Sequence, residues 1–123
     1  MLTQAKVLRL AALLVLHRLR FAFGTHADKA TAISRSILDE LHLMIQLTGR
    51  SVPFVDFAYL IASFEITDPR ERVAALAESY LIVDFSARAR EELENWLISF
   101  WAARDDESGH DIYWEDVQSC IFA

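Results

Sequence analysis

The side chains able to do chemistry in this sequence are four histidines, one cysteine, a short carboxylate run and a set of aromatics. Asp39 and His42 lie three positions apart, which places them on one face of a helix, where His17 could join them from an antiparallel neighbour. Such a trio could hold a metal, yet no Glu-x-x-His pair, His-Glu-x-x-His motif or Cys/His cluster accompanies it. Surface and capping roles are therefore expected for these residues, and no metal or cofactor. Glu91, Glu92 and Glu94 offer paired carboxylates, but acids early in a helix are read more simply as complementing its dipole. No serine sits in a nucleophile elbow, and three glycines cannot build a phosphate loop. Cys120, on a closing apolar segment without a basic neighbour, has nothing to lower its pKa. Catalysis is not expected.

The aromatics are the remaining candidates. Phe57, Tyr59, Phe64, Trp96, Phe100, Trp101, Tyr113 and Trp114 could line an apolar pocket or meet a partner, since such side chains dominate both kinds of surface. Packing between the last two helices accounts for the same spacing at Trp96, Phe100, Trp101, Tyr113 and Trp114.

These residues must be held by helices. With 54% apolar and 24% charged residues in 123, the chain has one domain's length and enough apolar surface to fold. A lone cysteine excludes an intrachain disulfide scaffold and fits a reducing compartment. From Thr3 to Phe23 there is no Gly or Pro, which predicts one long helix ended by Gly24. Thr25 and Asp28 have the spacing of a capping box for a second helix, about His26 to Thr48, whose apolar face runs through Ile33, Ile37, Leu38, Leu41, Met44 and Ile45, with Leu47 a further candidate. Gly49 stops it. The stretch from Phe54 to Ile66 favours strand by composition, but its length and helical neighbours predict a third helix behind Pro53. Asp68, Pro69 and Glu71 fall at the cap, first and third positions of a fourth helix, which continues to about Leu81. Ser86 caps a fifth that ends near Arg104. A polar loop at 105–110 precedes a short sixth, Ile112 to about Ser119. The expectation is an all-α domain, residues 1–123, of about six antiparallel helices packed as a bundle or a solenoid-like stack.

Charge and hydropathy bound the partners. The net charge of −6 argues against a free-standing nucleic-acid binder, which draws its affinity from neutralising phosphates. Residues 1–50 carry seven basic groups and three acidic ones, against five and fifteen in the remainder, so the halves could attract each other or simply present two solvated faces. Ten of the twelve bases are arginine, whose planar fork suits paired contacts. The apolar run Leu10–Leu16 follows Lys6 and Arg9 as in a secretory signal, but His17, Arg18 and Arg20 stand where a cleavage site should lie. No stretch approaches the roughly 20 apolar residues of a membrane span. The first helix is apolar on nearly every side between Val7 and Leu16, and the third almost as much, so both are expected to need covering by a larger domain or an oligomer.

The succession LLVLHRLRFAFGTHADKATAISRSILDEL, LTGRSVPFVDFAYLIASFEITDPRER, FWAARD and YWEDV resembles the C-terminal helical region of fungal-specific transcription factors, over about Leu13 to Val117. Members of that family join a binuclear zinc cluster to a helical regulatory domain. The cluster needs six closely spaced cysteines, so the resemblance does not extend to DNA reading here, and no family site residues carry over. It implies transcription regulation through protein partners or self-association in the nucleus, with the cytoplasm as the alternative location. The expected function is a regulatory, protein-interaction helical domain without its own DNA-binding module. A helical bundle that binds an apolar small molecule, as ligand sensor or carrier, is the alternative.

Overall fold

A computed structural model describes residues 2–49, 55–83, 86–105, 112–114 and 117. Its described residues form five helices and no strands: α1 (Leu2–Arg20), α2 (Ala27–Thr48), α3 (Asp56–Phe64), α4 (Pro69–Ile82) and α5 (Ala87–Asp105). The expected sixth helix falls largely outside the described residues, among which five helices are counted; within it Trp114 and Val117 are helical and the Val117 N–H reaches the Tyr113 carbonyl at 3.4 Å. Pro53 and Phe54, placed at the start of the third helix, and Cys120 also lie outside the described residues.

The helices pack as a bundle around α3, which touches all four others. Residues Ala58 to Phe64 are all buried, so the segment whose composition suggested a strand is the central helix of the core. Its own chain covers this stretch, leaving Phe57 at the start of the helix partly exposed. α1 and α2 run antiparallel, joined at one end by the 21–26 turn and by a Lys6–Glu40 ion pair of 2.6 Å further along. α4 and α5 are likewise antiparallel. α2 and α4, however, run parallel on either side of α3: Arg35 faces Glu71 and His42 faces Glu78, seven residues on in both helices. The expectation of antiparallel neighbours therefore fails for this pair.

Helix ends follow local chemistry except where a long-range contact takes over. The Asp68 side chain accepts the Arg70 N–H at 2.9 Å with Pro69 behind it, and Ser86 Oγ accepts the Ala89 N–H at 3.1 Å. Gly49 closes α2 in the left-handed region at φ 78°, its N–H on the Ile45 carbonyl. The expected capping box at Thr25 does not form. Thr25 Oγ1 donates back to the Ala22 carbonyl at 2.6 Å, and the residue before α2 is His26, itself left-handed at φ 46° with no side-chain cap. α1 also stops three residues before Phe23. The reason is Arg18: its Nη1 donates to the carbonyls of both Ala22 and Thr25, at 2.7 and 2.8 Å, and so draws the chain into a turn. α3 ends at Phe64, two residues before the expected Ile66, because the Glu65 and Ile66 N–H groups tighten onto Ala62 and Ser63 three residues back.

Candidate functional site

Three places in the fold could carry function: the buried C-terminal end of α3, a groove between α2 and α4, and the outward face of α1. The first is built from charged residues on apolar stripes. Arg18 follows Val7, Ala11 and Leu14 at helical spacing and is 1% exposed. Its Nε and Nη2 donate to the two Glu65 carboxylate oxygens at 2.7 and 2.6 Å, and its ring-like plane lies 4.9 Å from the Phe23 centroid. With Nη1 on two carbonyls, the fork is engaged on every arm, as a buried guanidinium requires.

The carbonyls at the same end of α3 are taken by side chains from the surrounding helices. Ser34 Oγ of α2 donates to Ala62 at 2.7 Å, Trp101 Nε1 of α5 to Ser63 at 2.9 Å, and Arg104 Nη1 of α5 to Phe64 at 2.9 Å. Arg72 Nε of α4 donates to the Ile66 carbonyl at 2.8 Å, while its other nitrogens hold Asp105 at 2.5 and 3.1 Å. Burial lowers the Arg104 pKa, against the opposing pull of Glu65. A helix end buried in a core leaves carbonyls that water cannot reach, and here α2, α4 and α5 supply the partners. Among the described residues Ser63 Oγ, in the same turn, is the one buried side-chain oxygen without a partner.

The sequence-predicted aromatics do not converge on one pocket. Phe64 and Phe100 are buried with ring centroids 4.3 Å apart, and Phe23 meets Phe100 at 4.7 Å. Trp101 is buried under the Arg72 guanidinium, and Trp96 is half-buried against the core. The Tyr59 hydroxyl donates to the Ala75 carbonyl, and burial, with the negative field of Glu78 behind it, raises its pKa. Phe57 and Tyr113 are partly exposed at the edge where Trp114 is buried, the Phe57 and Trp114 rings standing edge-on at 6.3 Å.

The polar clusters are dispersed as well. His17 is buried with Nε2 3.1 Å from the His26 carbonyl, whereas His42 is exposed beside Gln46 and Glu78. Among the described residues no three potential metal ligands come together. Glu91, Glu92 and Glu94 lie beyond the first turn of α5, which has no acid, so the dipole reading is corrected. Glu92 faces Arg88 at 3.6 Å, and Glu94 accepts the Ser79 hydroxyl.

The groove occupies about 310 Å³ between the parallel helices α2 and α4, above α3. Its floor is Leu38, Leu41, Ile45, Ala75 and Ile82 with Tyr59, the only sequence-predicted aromatic to reach it. Along its rim stand Asp39, Glu71 and Glu78 against Arg35 and His42.

On the outward side of α1, Leu8, Leu16 and Leu19 are 40%, 61% and 53% exposed, with Ala5 exposed before Leu8 and Ala12 exposed between Leu8 and Leu16. The spacing 5, 8, 12, 16, 19 forms one continuous apolar stripe. α1 holds no acidic residue, and Arg9 and Arg20 are exposed along the stripe's far edge. No helix among the described residues is long and apolar enough to cross a membrane. The sequence of α1 is apolar on nearly every side between Val7 and Leu16, and the fold decides which side stays open.

Comparison with known protein families, characterised proteins and solved structures finds no match to this chain.

Proposed function

We propose that this chain is a regulatory, protein-interaction helical domain of the kind fungal transcription regulators carry, working in the nucleus through protein contacts and without a DNA-reading module of its own. The observation that carries this reading is the leucine stripe on α1, since a row of exposed leucines in register along a helix is costly in water and marks a contact surface. The resemblance of residues 13–117 to the helical region of those regulators points the same way.

The stripe also suggests its partner. Positions 5, 8, 12, 16 and 19 are symmetric about Ala12, so two copies of α1 laid antiparallel set Leu8 against Leu16 and Ala5 against Leu19, with the small Ala12 at the crossing. Arg9 and Arg20 are not related by that symmetry and do not meet their like. Self-association through α1 is the testable form of the proposal. Sedimentation at about 100 μM, where contacts of modest area are populated, shows dimers for the native chain and monomers for Leu16→Gln. A native chain that stays monomeric there, or a Leu16→Gln variant that dimerises as well as the native chain, overturns it.

A further inference from the structure

The groove between α2 and α4 makes a different kind of site from the α1 face. We infer that it binds a small amphipathic cation, a primary ammonium group carried on an aliphatic or arylalkyl body.

Size argues for a small molecule. About 310 Å³ is the lower end of the range for ligand pockets, the size of a small molecule and not of a helix from another chain. The floor takes the apolar body: Leu38, Leu41 and Ile45 come from α2, Ala75 and Ile82 from α4. Its two buried hydroxyls offer no free proton, because Ser34 donates to the Ala62 carbonyl and Tyr59 to the Ala75 carbonyl. Charge complementarity then selects the head group. Three carboxylates surround the opening, and the one guanidinium there, Arg35, is held by Glu71 at 3.1 Å. Burial, and after it the charge of Glu78, raises the Tyr59 phenol beneath the rim. An ammonium group at the rim replaces water with charge-assisted hydrogen bonds, whereas a carboxylate head meets like charge.

The parallel course of α2 and α4 makes the site. Both helices lean on α3 but are bridged across the groove at their outer edges, by Arg35–Glu71 and by His42–Glu78 at 3.8 Å, so a walled slot remains beneath the ion pairs.

The test uses the complete chain and three probes of matched length, n-octylammonium, octanoate and octanol, followed by amide chemical shifts. Saturable shifts confined to residues 31–45 and 71–82 with octylammonium, and none with octanoate, are the expected result. Asp39→Asn and Glu78→Gln each weaken octylammonium by about two- to fivefold, the range for a partly exposed charge pair. Ala74→Trp, at an exposed position on the groove wall, removes binding while the helical circular dichroism is retained. Octanoate binding as tightly as octylammonium, or shifts spread over the α1 leucines instead of the groove, overturns the assignment. Neither outcome bears on self-association, which is read by sedimentation in the absence of probe.

Discussion

At the residue scale, the stability of this fold turns on one guanidinium. Arg18 belongs to α1 and Glu65 is the first residue past α3, and both are nearly inaccessible, so deleting either partner strands a charge where water cannot solvate it. Arg18→Met and Glu65→Gln should each destabilise the chain by about 3–5 kcal/mol in urea unfolding, while Arg18→Met/Glu65→Leu together recover much of that loss. The surface pair Arg72–Asp105 behaves differently. Its hydrogen bond from Arg72 holds the Asp105 carboxyl below the usual range, so the pair contributes stability above the unfolded-state value of about 3.9 and loses it as pH falls through the lower folded value. Asp105→Asn is then less stable than the native chain at neutral pH and indistinguishable from it at the acid end, which thermal melts at several pH values will show.

At the element scale, most boundaries are set by two or three neighbouring residues. Gly49 is the clearest case, because its left-handed backbone closes α2 with open space around the missing Cβ. Gly49→Ala should lower stability by about 1 kcal/mol through backbone strain alone, with no change in the amide spectrum beyond the α2 terminus. The 21–26 turn obeys another rule. Thr25 and Asp28 have capping-box spacing, but the Arg18 fork has already engaged the carbonyls on either side of Gly24, and a local preference of about 1 kcal/mol yields to a buried guanidinium whose Nη1 is satisfied by those carbonyls while Glu65 takes its other arms. α3 shows tertiary context outweighing propensity in the other direction: a β-branched and aromatic segment is helical because only a helix satisfies its own backbone while buried on every side.

For the whole molecule, the two apolar helices have separate fates. α3 is enclosed by the other four, and α1 covers it with one face while turning its leucine stripe outward. If that stripe joins two copies, folding and association are linked. The melting temperature of the native chain should rise with protein concentration, and that of Leu16→Gln should not. The charge imbalance between the halves takes partial form in the same architecture. Arg18–Glu65 and Arg35–Glu71 join basic front to acidic back, while Lys6–Glu40 and Arg72–Asp105 pair within one half.

Sequence alone determined the helical class, the cap at Asp68, the stop at Gly49 and the apolar face of α2, because each depends on residues within one or two turns of one another. It also held a signal for the buried ion pair: Arg18 keeps the register of Val7, Ala11 and Leu14, and Glu65 interrupts an otherwise apolar run. Pairing those two residues, 47 positions apart, required the fold. So did the choice of which α1 face stays in water, the parallel set of α2 and α4, and the groove their separation leaves. Those features arise from how five cylinders share one buried axis, and periodicity along a single cylinder carries no information about the angle at which its neighbours arrive.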